Sequence, residues 1–179
     1  MEIGYTMMCE QSGPKQLVSD LRQAEDAGFD FSVVSDHIFP WLDSQGHSPY
    51  AWSVLGAAAQ ATERIPLMTF VTCPIKRYHP VVIAQKAATV QFRWFSAGWK
   101  VNAELPGTAA FAAASASVRP EDVAEQIPCG RDIRRVLDGI RTFSDAGFTH
   151  LALVQVGGDH QAPFIEWAAS ELLEQARSI

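Results

Sequence analysis

The sequence predicts an α/β fold in which parallel strands alternate with helices. Strand-length apolar runs, such as Phe31–Ser35 and Ile65–Val71, are separated by stretches whose apolar residues recur at helical spacing. The runs are apolar throughout, which is typical of a parallel sheet covered by helices on both faces. The turn Asp-Ala-Gly-Phe precedes two strands, at 26–29 and 145–148, as expected for a repeated helix-to-strand unit.

The first half of the chain predicts three βα units. Pro14 suits the first turn of a helix and Gly28 suits its end, so the first helix is well bounded. In chain order the predicted elements are strand Ile3–Met8, helix Pro14–Ala27, strand Phe31–Ser35, helix Tyr50–Thr62, strand Ile65–Val71 and helix Pro80–Val90.

The second half predicts one further βα unit after a region without a strand pattern, which runs from Phe92 to Gly130. Residues 92–105 are aromatic and predict a helix, 106–120 are rich in small residues and indicate a loop or weak helix, and 120–127 predict a short helix. The last predicted elements are helix Arg131–Ala146, strand Leu151–Val156 and helix Pro163–Ala176.

All 179 residues are expected to form a single domain. Within it, the N-terminal βα units occupy residues 1–91 and a helical insertion with a loop occupies 92–130. The C-terminal βα unit occupies residues 131–179.

The composition disfavours two classes of partner. The formal net charge is −6 and the pI is about 5.3, whereas a nucleic-acid binder carries a basic face. The same acidity disfavours an anionic membrane surface. No signal peptide and no run long enough to span a bilayer is visible in the sequence. We therefore expect a small-molecule substrate, with neither nucleic acid nor membrane as a partner.

The three cysteines, Cys9, Cys73 and Cys129, are widely spaced. No Cys-x-x-Cys pair occurs in the sequence, so the spacing indicates neither a zinc knuckle nor a disulfide framework. A reducing compartment suits this usage best, and the predicted location is the cytoplasm.

Polar side chains follow three of the predicted strands, where ligands bind in parallel α/β folds. They are Asp36, His37 and Trp41 after the second strand, Thr72, Cys73, Lys76, Arg77 and Tyr78 after the third, and Asp159 and His160 after the last. Three such clusters on one rim indicate a ligand site more strongly than one would.

Each candidate has a functional and a structural interpretation. His37 suits a general base, since an unperturbed imidazole titrates near neutrality, or it is a surface loop residue. Asp36 orients a ligand or caps the next turn, and Trp41 forms an aromatic wall or packs at the rim.

The remaining candidates favour the structural interpretation. Lys76 and Arg77 suit phosphates or carboxylates but also a solvated turn. The Gly-Gly-Asp-His sequence at 157–160 suits a tight turn into the last helix. No metal is predicted, because the available ligands lack any recognised spacing. These ligands are His37, His47, His79, Asp159 and His160.

Several motifs occur together in the order of one known family. SDHIFPW, GHSPYAWS and TCPIKRYHPVVIAQKAAT resemble the luciferase-like flavin and deazaflavin oxidoreductases, most closely the F420-dependent glucose-6-phosphate dehydrogenase group. FRWFSAGWKV is similar to the late helical insertion of that group, and HLALVQVGGDHQAPFIEW is similar to its last βα unit.

The resemblance implies a (β/α)8 barrel with coenzyme F420, rather than FMN, at its C-terminal rim. By position it implies that Asp36 contacts the cofactor, that His37 lies by the substrate hydroxyl and that Trp41 lies near the reacting centre. It also implies a non-proline cis peptide at Phe70–Val71, behind the deazaflavin ring. Cys73 stands where the family has a threonine, so that hydroxyl contact is in question.

The chain departs from the family in length. A (β/α)8 barrel typically needs about 250 residues, and the sequence shows four clear strands. After Gln91 the family's next strand and its Gly-rich loop with an acidic residue do not follow. We therefore predict an internal deletion joined near Gln91–Phe92, leaving an incomplete barrel of about four parallel strands. Basic residues for a sugar phosphate are not evident, which disfavours glucose 6-phosphate as substrate.

Two functions remain open from the sequence. The first is an F420-dependent oxidoreductase that transfers a hydride between a small alcohol or carbonyl compound and the deazaflavin. The second is a non-catalytic remnant of the family with a structural or cofactor-binding role. An incomplete barrel has two unpaired sheet edges, which favours self-association, so a homodimer is predicted.

Overall fold

The computed structural model describes residues 1–72, 108–116 and 118–179 of the chain. Within them, four strands alternate with seven α-helices, and short 3₁₀ turns occur at Asp43–Gln45 and Gly158–His160. The strands are β1 Glu2–Met7, β2 Phe31–Asp36, β3 Leu67–Thr72 and β4 His150–Leu153. The helices are α1 Pro14–Ala27, α2 Ala51–Ala61, α3 Thr108–Ser115, α4 Pro120–Gln126, α5 Ile133–Asp145, α6 Gln161–Trp167 and α7 Leu173–Arg177.

The four strands form one parallel sheet in the order β3-β2-β1-β4. β1 lies between β2 and β4, so the strand of the C-terminal βα unit pairs directly with the first strand. The predicted parallel α/β sheet of about four strands with surrounding helices is confirmed. The pairing of β2 with β3 contains a bulge between Val34 and Asp36, and beyond it Asp36 pairs with Thr72.

The first helix begins and ends at the predicted residues. Pro14 occupies the first turn, where the missing N–H would have no helical partner. Gly28 ends α1 with φ +95°, a left-handed conformation that glycine adopts without a steric penalty, and its N–H bonds to the last turn. The chain can therefore turn directly from α1 into β2.

The hydrophobic core lies between the sheet and the helices packed against it. All six residues of β2 are buried, as expected for a strand covered on both faces. The other core members come mainly from β1, α1, α2 and the C-terminal helices. They include Ile3, Tyr5, Met7, Leu17, Leu21, Ala24, Val54, Ala58, Leu172, Leu173 and Ala176.

A buried carboxylate fixes the turn before β3. The side chain of Glu25, on α1, accepts the backbone N–H groups of Glu63, Arg64 and Ile65 at 2.8–3.2 Å. The hydrogen bond from the Arg64 N–H contributes most to lowering the pKa of Glu25 below its ordinary value, and the bonds from Ile65 and Glu63 add to it. Burial opposes this shift without cancelling it. This contact ties α1 to the entry of β3.

Several element boundaries differ from the predicted ones, most clearly near the C-terminus, and one open assignment is decided by the structure. β4 ends at Leu153 rather than Val156, because the carbonyl of Gln155 accepts side-chain amides of Gln11 and Gln161 instead of strand bonds. The closing helix begins at Gln161, and its middle turn is a π-helix at Ala168–Leu172. The stretch that suited a loop or weak helix forms α3.

Some predictions fall outside the described residues. They are the helices predicted at Pro80–Val90 and at residues 92–105, together with the join near Gln91–Phe92. In the described part of the chain, no helix combines the length and the apolar character needed to cross a bilayer.

Candidate active site at the strand ends

A buried carboxylate lies just beyond the carboxyl end of β1. Glu10 lies within a turn in which the N–H of Gln11 donates to the carbonyl of Met8, and its side chain is 0% exposed. The N–H of His47 donates to the backbone carbonyl of Glu10 at 3.3 Å. The sequence analysis missed Glu10, although its place after the first strand matches that of Asp36 after the second.

Ser35 on β2 holds one oxygen of this carboxylate. Its hydroxyl donates to Glu10 Oε2 at 2.8 Å and accepts the backbone N–H of Cys9 at 2.9 Å. Burial alone would raise the pKa of Glu10, but hydrogen bonds from His37 and Ser35 and the charge of His37 outweigh it. The pKa of Glu10 therefore lies below its ordinary value, and Glu10 is an anion at neutral pH.

His37 occupies the other oxygen of the carboxylate. Its Nδ1 contacts Glu10 Oε1, and its side chain is 27% exposed while that of Glu10 is buried. A neutral imidazole beside a carboxylate carries its proton on the nitrogen that faces the anion. The neutral form of His37 therefore has its proton on Nδ1 and its lone pair on Nε2.

The indole of Trp41 packs edge-on against this imidazole. The two ring centroids are 4.9 Å apart at 89°, a geometry favoured between aromatic rings. The hydroxyl of Ser48 donates to the carbonyl of His37 at 2.6 Å, and the side chain of Gln45 accepts the N–H of Trp41 at 2.8 Å. The loop after β2 is thus fixed at several points, and it holds both rings at the rim.

The end of β3 lies beside this group. Asp36 is 3% exposed and pairs with Thr72, so Phe70 and Val71 lie on the adjacent strand. The peptide between Phe70 and Val71 is cis, which confirms the predicted bond. Both of these apolar side chains are more than half exposed. The structure therefore brings Asp36, His37, Trp41, Phe70 and Val71 to one region of the rim.

Of the other predicted rim residues, Cys73, Lys76, Arg77 and Tyr78 lie outside the described residues. Asp159 and His160 belong to the 3₁₀ turn that leads into α6, which confirms the preferred structural interpretation of that motif. Asp159 borders a cleft that is also lined by Gln11, Ser12, Gln16, Asp20 and His47.

No set of three or more metal-ligating side chains is close enough to hold a metal ion in the described ranges 1–72, 108–116 and 118–179. What the rim provides is a buried anion, an oriented imidazole, an indole and an apolar surface. Such a set can accept a proton from a hydroxyl and contact a flat ring, which are functions of an acid–base site.

Comparison with known proteins identifies the family. The model of the family described as luciferase-like monooxygenase matches residues 1–92, slightly more than half of the chain. The chain belongs to the luciferase-like monooxygenase family. The predicted family is thereby confirmed, and the parallel sheet derives from the (β/α)8 barrel, of which the described residues form four strands.

Similar luciferase-like proteins have names that refer to coenzyme F420. An F420-dependent glucose-6-phosphate dehydrogenase from Beutenbergia cavernae is 48% identical over 90 residues, which are 50% of this chain and 27% of that protein. An F420-dependent hydroxymycolic acid dehydrogenase from Mycobacterium tuberculosis is 41% identical over 88 residues, 49% of this chain and 24% of that protein. The match thus spans about a quarter of each relative.

A similar solved structure is an F420-dependent secondary alcohol dehydrogenase in complex with an F420–acetone adduct. It shares 42% identity, with a TM-score of 0.43, over 47% of this chain and 26% of that chain. The partial coverage of the curated relatives fits the predicted internal deletion.

Proposed function

We propose that this luciferase-like chain binds coenzyme F420 at the ends of β1, β2 and β3 and serves F420-dependent oxidoreduction. The substrate would be a small alcohol or carbonyl compound. The observation that carries the proposal is the buried Glu10 carboxylate, which holds His37 beside Trp41 at the rim. The relatives' names support F420 as the cofactor.

The described residues fit a flat deazaflavin. Phe70 and Val71 expose apolar surface at the end of β3, which suits contact with one face of a ring. Asp36 lies on the neighbouring strand and would hold a polar edge of the cofactor, as the resemblance implies. Cys73, which lies outside the described residues, is the further cofactor contact that the resemblance implies. FMN offers a similar ring, but the relatives' names favour F420.

His37 is the proposed general base. When bound, coenzyme F420 supplies a two-electron acceptor for a hydride. The Nε2 lone pair of His37 takes the proton of the substrate hydroxyl, while Nδ1–H remains hydrogen-bonded to the carboxylate of Glu10. The buried anion stabilises the imidazolium that forms, and in the reverse direction the imidazolium returns the proton to the carbonyl oxygen. Trp41 limits the position of the imidazole and shapes the substrate side of the pocket.

A second candidate is a cofactor-binding protein without turnover. This second candidate is favoured because the match covers only part of each relative. The family match ends at residue 92, and the aligned residues make up 27% of one dehydrogenase. The segments that the relatives carry beyond the match would then be missing from the site. In this case Asp36, Phe70 and Val71 still contact F420, but no substrate is oxidised.

A fluorescence titration tests the binding that both candidates share. The chain is titrated with oxidised coenzyme F420, and saturable quenching is expected at micromolar protein. Asp36→Ala is expected to weaken binding at least tenfold. Asp26→Ala is the matched control, because Asp26 is exposed at the far end of α1, and it is expected to leave the dissociation constant unchanged. The absence of saturable quenching would contradict the proposal.

A turnover assay separates the two candidates. F420 absorbance is followed with a panel of small primary and secondary alcohols. Reduction of F420 that disappears in His37→Asn supports the enzyme, while F420 binding without reduction of F420 supports the second candidate.

We further propose that the chain is a homodimer in the cytoplasm. β3 and β4 are the two edges of the described sheet, and unpaired edges favour association with another chain. Light scattering after size exclusion is expected to give twice the 19.6 kDa mass of one chain. The mass of a single chain would contradict a dimer.

A further inference from the structure

The hydroxyl of Ser35 joins the end of β1 to the pair formed by Glu10 and His37. Ser35 has one hydroxyl hydrogen, and its oxygen already accepts the N–H of Cys9 at 2.9 Å. Because an ionised carboxylate can only accept, the hydrogen is directed to Glu10 Oε2, 2.8 Å away. Ser35 is 8% exposed, so water does not readily replace either bond.

We propose that Ser35 is a positioning residue that keeps the carboxylate of Glu10 turned toward His37, and so keeps the proton of His37 on Nδ1. The inference rests on the proposed function, because it deepens the role of the Glu10–His37 pair in that reaction. Ser35 itself would touch neither substrate nor cofactor.

The two oxygens of Glu10 have separate tasks in this arrangement. Oε2 is held by Ser35 and Oε1 faces His37 Nδ1. The Ser35 hydroxyl donates to Oε2, and such a bond is stronger to a carboxylate than to a carboxylic acid. Ser35 thereby stabilises the anion and fixes the rotation of the carboxylate.

The charge of Glu10 in turn decides which nitrogen of His37 presents a lone pair. An ionised Glu10 accepts Nδ1–H, so Nε2 carries the lone pair that a base needs. A protonated Glu10 would instead donate to Nδ1, and the ring proton would move to Nε2. His37 would then offer the substrate an N–H where the reaction requires an acceptor.

Few groups compete with Ser35 for this role. The titratable side chain that contacts Glu10 is that of His37, next to Asp36 at the end of β2. From the following loop, His47 contacts Glu10 through its backbone N–H rather than its ring. The Ser35 hydrogen bond is among the interactions that lower the pKa of Glu10.

The test is nitrogen NMR of the full chain with labelled histidines. The chain has five histidines, and His37→Asn assigns the signal of interest. In the wild type we expect the Nδ1–H tautomer to persist from neutral pH down to the protonation of the ring. In Ser35→Ala we expect a fraction of the Nε2–H tautomer to appear at neutral pH, because the Glu10 carboxylate is no longer held toward Nδ1.

Ser32→Ala is the matched control. Ser32 lies on the same strand, is 0% exposed and donates its hydroxyl to the carbonyl of Tyr5 at 2.9 Å. It should lose comparable stability without changing the His37 tautomer. If Ser35→Ala does not fold, Ser35→Cys keeps the volume with a weaker donor, and the tautomer change should then be partial.

An unchanged His37 tautomer and titration in both folded Ser35 variants would overturn the proposal, as would an equal change in Ser32→Ala. The readout needs no cofactor and no turnover. A failed F420 titration with the expected tautomer change would therefore reject the proposed function and leave the hydrogen-bond relation of Ser35 to His37 intact.

Discussion

At the scale of single residues, the position of Glu10 depends on contacts from two strands and a loop. The turn after β1 brings the carboxylate beneath His37, and Ser35 of β2 fixes it there. The sequence analysis predicted His37 and Trp41 at the rim, and the structure places their rings in contact. Glu10 was missed because nothing in a polar loop sequence indicates that one of its acids is fully buried.

His37→Asn tests the base. The variant keeps a polar group near Glu10 but loses the Nε2 lone pair, so kcat/KM should fall by about 10²–10⁴. The dissociation constant for F420 should change by no more than about threefold, since the cofactor contacts are assigned to other residues. Steady-state kinetics and the fluorescence titration measure both. Wild-type turnover in the variant would exclude His37 as the base.

At the scale of elements, α1 and β2 were the most predictable parts of the fold. Pro14 and Gly28 mark the ends of α1, and its apolar spacing identifies the buried face. The end of β4 was less predictable, because the side chains of Gln11 and Gln161 take the place of strand partners there. The bond from Gln11 joins residues far apart in the chain, so the local pattern does not indicate it.

Gly28 and Gly56 form a contrasting pair of helix glycines. Gly28→Ala should destabilise the fold by about 1–2 kcal/mol, because φ +95° is strained for alanine. Gly56 lies inside α2, and a Cβ built there meets no described atom within 4 Å. Gly56→Ala should therefore stabilise the fold by about 0.5–1 kcal/mol. Urea denaturation measures both, and changes of the same sign would contradict the expectation.

Glu25 gives the link between α1 and β3 a dependence on pH. Its folded pKa is lowered by three backbone N–H donors, of which that of Arg64 contributes most. The stabilisation is therefore complete above the unfolded pKa of about 4.3 and is lost as pH falls through the lower folded value.

Glu25→Gln should lose stability at neutral pH, by about 1–3 kcal/mol, and should show a shallower loss on acidification than the wild type. Thermal unfolding between pH 3 and 7 measures this, with the exposed neighbour Asp26→Ala as a control that keeps the wild-type slope. If stability falls with pH in parallel for the wild type and Glu25→Gln, another carboxylate determines the loss of stability in acid.

At the scale of the whole molecule, the pairing of β4 with β1 joins the C-terminal βα unit to the N-terminal ones. The sequence predicted both units and their shared rim, but not which strands are neighbours. The buried amide of Gln161 reinforces the joint, because it accepts the hydroxyl of Tyr5 at 2.8 Å and donates to Gln155 and Gly157.

A double-mutant cycle tests this joint. Gln161→Ala leaves the buried hydroxyl of Tyr5 without an acceptor and should cost about 1–3 kcal/mol. Tyr5→Phe removes that hydroxyl, so the double variant should be less destabilised than the sum of the two single variants. Denaturation midpoints and slopes give the free energies of unfolding, from which the coupling free energy between the two residues follows. If the effects of the two single variants add, the Tyr5–Gln161 hydrogen bond contributes nothing to stability.

The buried charge of Glu10 also bears on the stability of the whole molecule. A carboxylate inside a protein is costly to desolvate, and an apolar residue of similar size is often neutral or stabilising in its place. The rim therefore costs the fold stability, since the residue that suits a polar site is not the residue that suits the core.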